Sequence, residues 1–173
     1  MYNLPYTNKQ INIPYLLKIG NGKICKIGKY LKDKNLPGVA LFLGDGTEEL
    51  VGAELRRGFG DNGINVVHSQ VVSDISIESI TQTAFQLPPA TDVVVGIGGG
   101  KALDFAKYSA HLLRLPFVSV PTSTSNDGFC SPTSSLTVGG RRKTVKSSIP
   151  FGVVIDLDII RNSPPVFFYS GLG

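Results

Sequence analysis

Residues 91–107 read TDVVVGIGGGKALDFAK. Asp92 to Ile97 carry the apolar, β-branched run that a strand buried on both faces of a parallel sheet needs. Gly96, Gly98, Gly99 and Gly100 follow and strip all but one β-carbon from the turn, so a phosphate can approach the backbone closely. Leu103, Phe105 and Ala106, set among polar positions, then predict a helix. The first free N–H groups of that helix point back at the turn, as a dinucleotide pyrophosphate requires. Gly96 and Gly98 match the start of the G-x-G-x-x-G fingerprint, but Lys101 stands where its last glycine belongs. A glycine-rich strand-to-helix connection with no ligand is the competing reading.

On the amino-terminal side, Gly38 to Gly46 (GVALFLGDG) predicts a core strand over Val39 to Leu43 and a turn at Gly44-Asp45-Gly46. Thr47 is then the expected N-cap of a helix reaching about Arg57, with Glu48 and Glu49 in its first turn. Tyr15 to Tyr30 reads as a short strand, a turn at Gly20-Asn21-Gly22 and a helix entered near Lys23, covering one edge of the sheet. A strand over Ile64 to Val67 and a helix over Ser76 to Phe85, ended by Pro88 and Pro89, lead into the central strand. On the other side, Leu115 to Val120 is a strand closed by Pro121, and Val153 to Asp156 is a last core strand followed by a short helix from Asp158. Ser135 to Val138 and Thr144 to Ser148 predict a hairpin around Gly139-Gly140-Arg141. Strand and helix alternating at this short period predict an α/β fold: an open, mainly parallel Rossmann-like sheet with helices on both faces, plus the β-hairpin.

The 173 residues, with 42% hydrophobic and 17% charged content, suit one soluble globular domain. No apolar run is long enough to span a bilayer, and MYNLPYTNKQ lacks the features of a signal peptide, so a cytoplasmic location is expected. Cys25 and Cys130 fit no metal-ligand spacing and read as reduced thiols. The net charge of +4 comes from scattered lysines and one cluster, Arg141, Arg142, Lys143 and Lys146. That cluster is either a solvated hairpin tip or a contact to a phosphate-bearing ligand. Nucleic acid is not an expected partner, since neither an aromatic-studded basic sheet nor a helix-turn-helix is visible.

Two further places carry candidate chemistry. Asp45 lies just past the carboxyl end of a parallel strand, where ligands of open α/β sheets collect, and its carboxylate can accept both hydroxyls of a ribose. A turn-forming aspartate between glycines is the plainer alternative. Pro121 to Pro132 (PTSTSNDGFCSP) concentrates hydroxyls at the same sheet edge. These can donate to a phosphate or a cofactor amide, and Asp127 can accept from a polyol hydroxyl; local side-chain to backbone bonds are the alternative use.

Taken together, GGGKALDFAKYSA, VPTSTSNDGFCSP, IPFGVVIDLDIIRNSPP and the terminal SGLG resemble, in order and spacing, the glycerol-1-phosphate dehydrogenase family. That family sits in the superfamily of metal-dependent glycerol and iron-containing alcohol dehydrogenases and dehydroquinate synthase. The resemblance implies a dehydroquinate synthase-like amino-terminal domain spanning residues 1–173. Gly98, Gly99, Gly100 and Lys101 would form the pyrophosphate loop of NAD or NADP, and Asp104 would shape the cofactor site. Thr122, Ser123, Ser125 and Ser131 would contact the nicotinamide side, Asp127 the substrate hydroxyls, and Asp45 the adenosine ribose. An acid at Asp45 should favour NAD by repelling a 2′-phosphate. In the full-length parent a second, all-helical domain would supply the histidine ligands of a divalent metal, expected to be zinc. His68 and His111 stand in no such ligand pattern. The implied reaction is hydride transfer between NAD(P)H and dihydroxyacetone phosphate, a small polyol phosphate, in an enzyme that can be a homo-oligomer. The chain alone is expected to be inactive. A glycerol dehydrogenase, a dehydroquinate synthase-like lyase domain and a nucleotide-binding module without catalysis are the alternatives.

Overall fold

A computed structural model describes residues 13–123 and 128–162. Strand β1 (Leu16–Gly20) leads through a 3-10 turn (Ile24–Lys26) into α1 (Ile27–Lys32). Then come β2 (Gly38–Leu43), α2 (Thr47–Gly60), β3 (Asn65–Val71), α3 (Ile77–Gln86), β4 (Val93–Gly98) and α4 (Gly100–Leu113). Strands β5 (Phe117–Pro121), β6 (Thr133–Val138), β7 (Arg141–Lys146) and β8 (Gly152–Asp156) follow, and α5 (Leu157–Asn162) is the last described helix. Six strands pair in parallel in the order β1-β8-β5-β4-β2-β3, and β6 and β7 form a separate antiparallel hairpin.

The period of two along each strand sorts the core into two layers. Val39, Leu41 and Leu43 of β2 face Val51, Leu55 and Phe59 of α2 together with Ile27 and Leu31 of α1. Ala40 and Phe42 face the other way, toward Ile80 of α3 and Leu103, Phe105 and Ala106 of α4. Because β2 and β4 are buried along their whole length, their sequences read as continuous apolar runs rather than alternating ones.

Several boundaries differ from the sequence expectation for physical reasons. Thr47 is the first residue of α2 and not its N-cap; Gly46 takes that place at φ 68°, a left-handed value that suits glycine. The helix continues past Arg57 through Gly58 and Gly60, because α1 packs closely against it. A β-carbon on Gly28 would lie 2.1 Å from the Gly58 carbonyl oxygen, and one on Gly58 would lie 2.4 Å from that of Cys25. Tertiary contact here overrides a poor helix propensity. Strand β3 runs to Val71, so His68 lies inside it; as an edge strand paired only to β2, it tolerates His68, Ser69 and Gln70. The hairpin is longer on one strand and shifted on the other, pairing Thr133 with Lys146 and Val138 with Arg141. It lies against α4 and the start of α3: Leu136 is fully buried, and Thr137 N donates to Ile75 O at 3.0 Å.

Candidate functional site

From β2 the chain crosses to β3 on one side, and from β4 it crosses to β5 on the other. The topology therefore reverses between the carboxyl ends of β2 and β4, the position where open α/β sheets leave a crevice. The two turns at that point touch. Gly44 N donates to Ile97 O at 2.8 Å. Gly98 has φ 145°, and a β-carbon there would stand 3.0 Å from the Gly44 N and Cα atoms. Gly96 serves packing, since its β-carbon would meet Ala106 Cβ at 2.7 Å.

Gly99 differs from both. Its φ of −81° is open to any residue, and a β-carbon on it would meet nothing within 4 Å. Neither backbone conformation nor contact with the described residues calls for glycine there. Gly99 is also the N-cap of α4, with no side-chain cap, and the first turn holds no acid but does hold the exposed Lys101. By contrast, α2, α3 and α5 carry Glu48 and Glu49, Glu78 and Asp158 in their first turns. Among the described residues, the α4 end thus has neither a side-chain cap nor a first-turn acid set against its positive dipole, an electrostatic setting for an anion.

Asp45 sits exposed in the turn after β2, one residue from the Gly44–Gly98 contact. Thr122 N donates to Gly98 O at 3.1 Å, which brings Thr122 and Ser123, both half-buried, to the other flank of the glycine turn. The structure therefore gathers Asp45, Gly98, Gly99, Gly100, Lys101, Thr122 and Ser123 along one edge. Ser125 and Asp127 lie outside the described residues. Ser131 stands deeper along α4, where its hydroxyl donates to Thr133 O at 3.2 Å.

Asp104 is buried one turn into α4. Its Oδ1 lies 3.4 Å from Lys107 Nζ, and its Oδ2 accepts from Ser135 N at 3.1 Å. Any influence on a ligand passes through the attachment of α4 to β6. Burial raises its carboxyl above the usual value, against the opposing pull of Lys107, the Ser135 N–H and Arg142. A raised folded-state value means that the stability linked to this group is complete below about pH 3.8 and is lost as pH rises through the folded value. Relative to the wild-type chain, Asp104→Asn should therefore gain stability as pH rises above about 4 and level off once pH has passed the raised folded-state value. Urea unfolding at a series of pH values checks this, and a constant difference would contradict it.

The two histidines are used elsewhere. The His68 ring packs 5.5 Å from that of Phe42, and His111 Nδ1 is 2.8 Å from Ser148 Oγ. Among the described residues, no three histidine, cysteine, aspartate or glutamate side chains come together to hold a metal ion. These residues do not fit a metal. A crevice of about 580 Å³ lined by His111, Leu112, Arg114, Leu115 and Ser148 lies at the end of α4 remote from the glycine turn.

Two buried charges escaped the sequence reading. Asp156 is 1% exposed and accepts from Ile24 N at 2.8 Å and Asp158 N at 3.0 Å, while Asp158 accepts from Asn21 Nδ2 and Gly22 N. They secure the turn between β1 and α1; an acid ending the apolar run VVID was the available signal. Lys107, fully buried, is the other, and its signal was its place three residues after Asp104.

The chain is similar to known proteins over most of its length. The family model described as iron-containing alcohol dehydrogenase matches residues 18–164. A glycerol-1-phosphate dehydrogenase [NAD(P)+] of Metallosphaera sedula is 34% identical over 167 residues, covering 94% of this chain and 46% of the relative. Another, from Methanothrix thermoacetophila, is 31% identical over 166 residues, again covering 94% and 46%. Among solved structures, glycerol dehydrogenase from Schizosaccharomyces pombe superposes with a TM-score of 0.82 at 27% identity, covering 94% of this chain and 42% of that one. The chain thus spans about half the length of the relatives it matches. With the family match extending from β1 to the end of α5 and the glycine turn at the sheet's reversal point, this chain belongs to the iron-containing alcohol dehydrogenase family.

Proposed function

We propose that the chain is the nucleotide-binding half of a cytoplasmic NAD(P)-dependent oxidoreductase of the glycerol-1-phosphate dehydrogenase type, with the pyrophosphate seated on Gly98 to Lys101. The observation that carries this reading is Gly99: a helix start with no side-chain cap among the described residues, positive in sign, at a glycine whose missing β-carbon would meet no described atom within 4 Å. A pyrophosphate accounts for both features. The dinucleotide would extend across the reversal point, one nucleoside toward Asp45 after β2 and the other toward Thr122 and Ser123 after β5. In the parent enzyme the nicotinamide would exchange hydride with the carbonyl of a small polyol phosphate such as dihydroxyacetone phosphate. The roles of Ser125, Ser131 and Asp127 toward nicotinamide and substrate belong to the same reading.

A second reading, oxidation of unphosphorylated glycerol, draws support from the likeness to the S. pombe glycerol dehydrogenase at 27% identity. The two differ in whether the substrate carries a phosphate, and assay of a full-length parent with glycerol and with glycerol 1-phosphate separates them.

Calorimetric titration of the chain with NAD and NADP tests the nucleotide site itself. The expected result is saturable binding of NAD at least about tenfold tighter than NADP, because the Asp45 carboxylate repels a 2′-phosphate. Asp45→Asn should close most of that gap. Equal affinities in the wild-type chain would remove Asp45 from the ribose site.

A further inference from the structure

A lysine with no solvent exposure is an expensive residue, since its ammonium must find substitutes for water on every donor. Lys107 finds them in one stretch of chain. Its Nζ donates to Gly128 O and Thr133 O, each at 2.6 Å, and to Ser131 O at 3.3 Å. The Asp104 carboxylate, one turn away on α4, lies 3.4 Å off and itself holds the Ser135 N–H. One charged pair therefore fastens residues 128–135 to α4, the helix whose first turn carries the glycine site. The sheet core gains nothing from this arrangement that an apolar side chain would not supply; the ammonium instead specifies where the backbone carbonyls sit. The other flank of the same connection is tied independently, by Thr122 N to Gly98 O at 3.1 Å. Both flanks of the chain leaving β5 are thus referenced to the glycine turn, one through Gly98 and one through Lys107.

We propose that Lys107 is a positioning residue for nucleotide binding: by fixing residues 128–133 on α4, it anchors the carboxyl-side flank of the chain leaving β5, on the side of the glycine turn where the nucleoside beyond the pyrophosphate would lie. This rests on the nucleotide reading above. It makes a specific separation between two ligands. ADP-ribose carries the adenosine half and the pyrophosphate but lacks the nicotinamide, so it does not depend on the β5 side for its base.

The test is calorimetry of the full chain and its Lys107→Met variant with NAD and with ADP-ribose. The expected result is that NAD binds more tightly than ADP-ribose in the wild-type chain, and that the variant weakens NAD by about tenfold or more while ADP-ribose changes by less than about twofold. A merely structural lysine would weaken both ligands together, and that outcome overturns the proposal while leaving the nucleotide reading intact. Wild-type affinities that are equal for the two ligands overturn it as well. Wild-type chain that binds neither ligand overturns the nucleotide reading and the role of Lys107 with it. Should Lys107→Met lack a cooperative thermal transition, Asp104→Asn carries the same comparison, with a smaller loss confined to NAD expected and an equal loss for both ligands contradicting it.

Discussion

Replacing Gly99 by aspartate is expected to abolish nucleotide binding while leaving the fold as stable as before, or slightly more so. The backbone at residue 99 is extended, with φ −81° and ψ −175°, which an L-residue adopts without strain. A β-carbon there meets no described atom within 4 Å. Residue 99 is also the N-cap of α4, where an aspartate side chain can accept from the first free N–H groups and add a few tenths of a kcal/mol over glycine. Those N–H groups are the ones that a pyrophosphate would need at the proposed site. The new carboxylate would both occupy them and place a negative charge against the diphosphate, a repulsion of about 4 kcal/mol at 4 Å for an effective dielectric of 20. A loss exceeding about 100-fold in affinity, about 2.7 kcal/mol, follows. Calorimetry reads the binding and thermal unfolding reads the stability. A variant that binds NAD normally removes the pyrophosphate from this turn, and one that unfolds early shows that Gly99 serves packing after all.

The second large effect concerns Phe105→Ala. Phe105 has no solvent exposure and lies between α4 and the sheet, its ring centroid 5.0 Å from that of Phe42 at an angle of 47°. Ile80 and Leu103 belong to the same cluster. Truncation removes a full aromatic ring and leaves a cavity that the strands β2 and β4, hydrogen-bonded on both sides, cannot collapse to fill. The expected cost is about 3–5 kcal/mol. For a domain of this size that lowers the midpoint by roughly 10 °C, a large part of a typical margin of about 5–15 kcal/mol. Urea unfolding measures it, and a loss below about 1 kcal/mol would mean that Phe105 does not key α4 to the sheet. Because α4 carries the glycine site at its start, nucleotide affinity should fall in the same variant, in contrast to Gly99→Asp, where binding fails without the fold.

The unbroken apolar runs of β2 and β4, the helical spacing of Leu103, Phe105 and Ala106, and the glycines between strand and helix are local patterns. Their periods report burial directly, so the parallel α/β sheet and the glycine turn at its carboxyl edge were legible in the sequence by itself. The resemblance of the polar stretch after β5 and of the terminal segments carried the family, which the match over residues 18–164 bears out. What the local pattern does not contain is the identity of the atom opposite a given residue. Gly96, Gly98 and Gly99 read alike in the sequence, yet one is required by Ala106, one by Gly44 and a left-handed φ, and one by nothing in the described chain. Gly58 reads as a helix end, and only the backbone of Cys25 packed against it explains why α2 runs through. Lys107 has no role in the local pattern, and its burial comes from residues 128–133, which arrive from over twenty positions away with their carbonyls. Sequence determined which segments form strands, turns and helices because those depend on neighbours along the chain. The tertiary structure alone decided which glycine faces open space and which charge is buried, because those depend on partners distant in sequence.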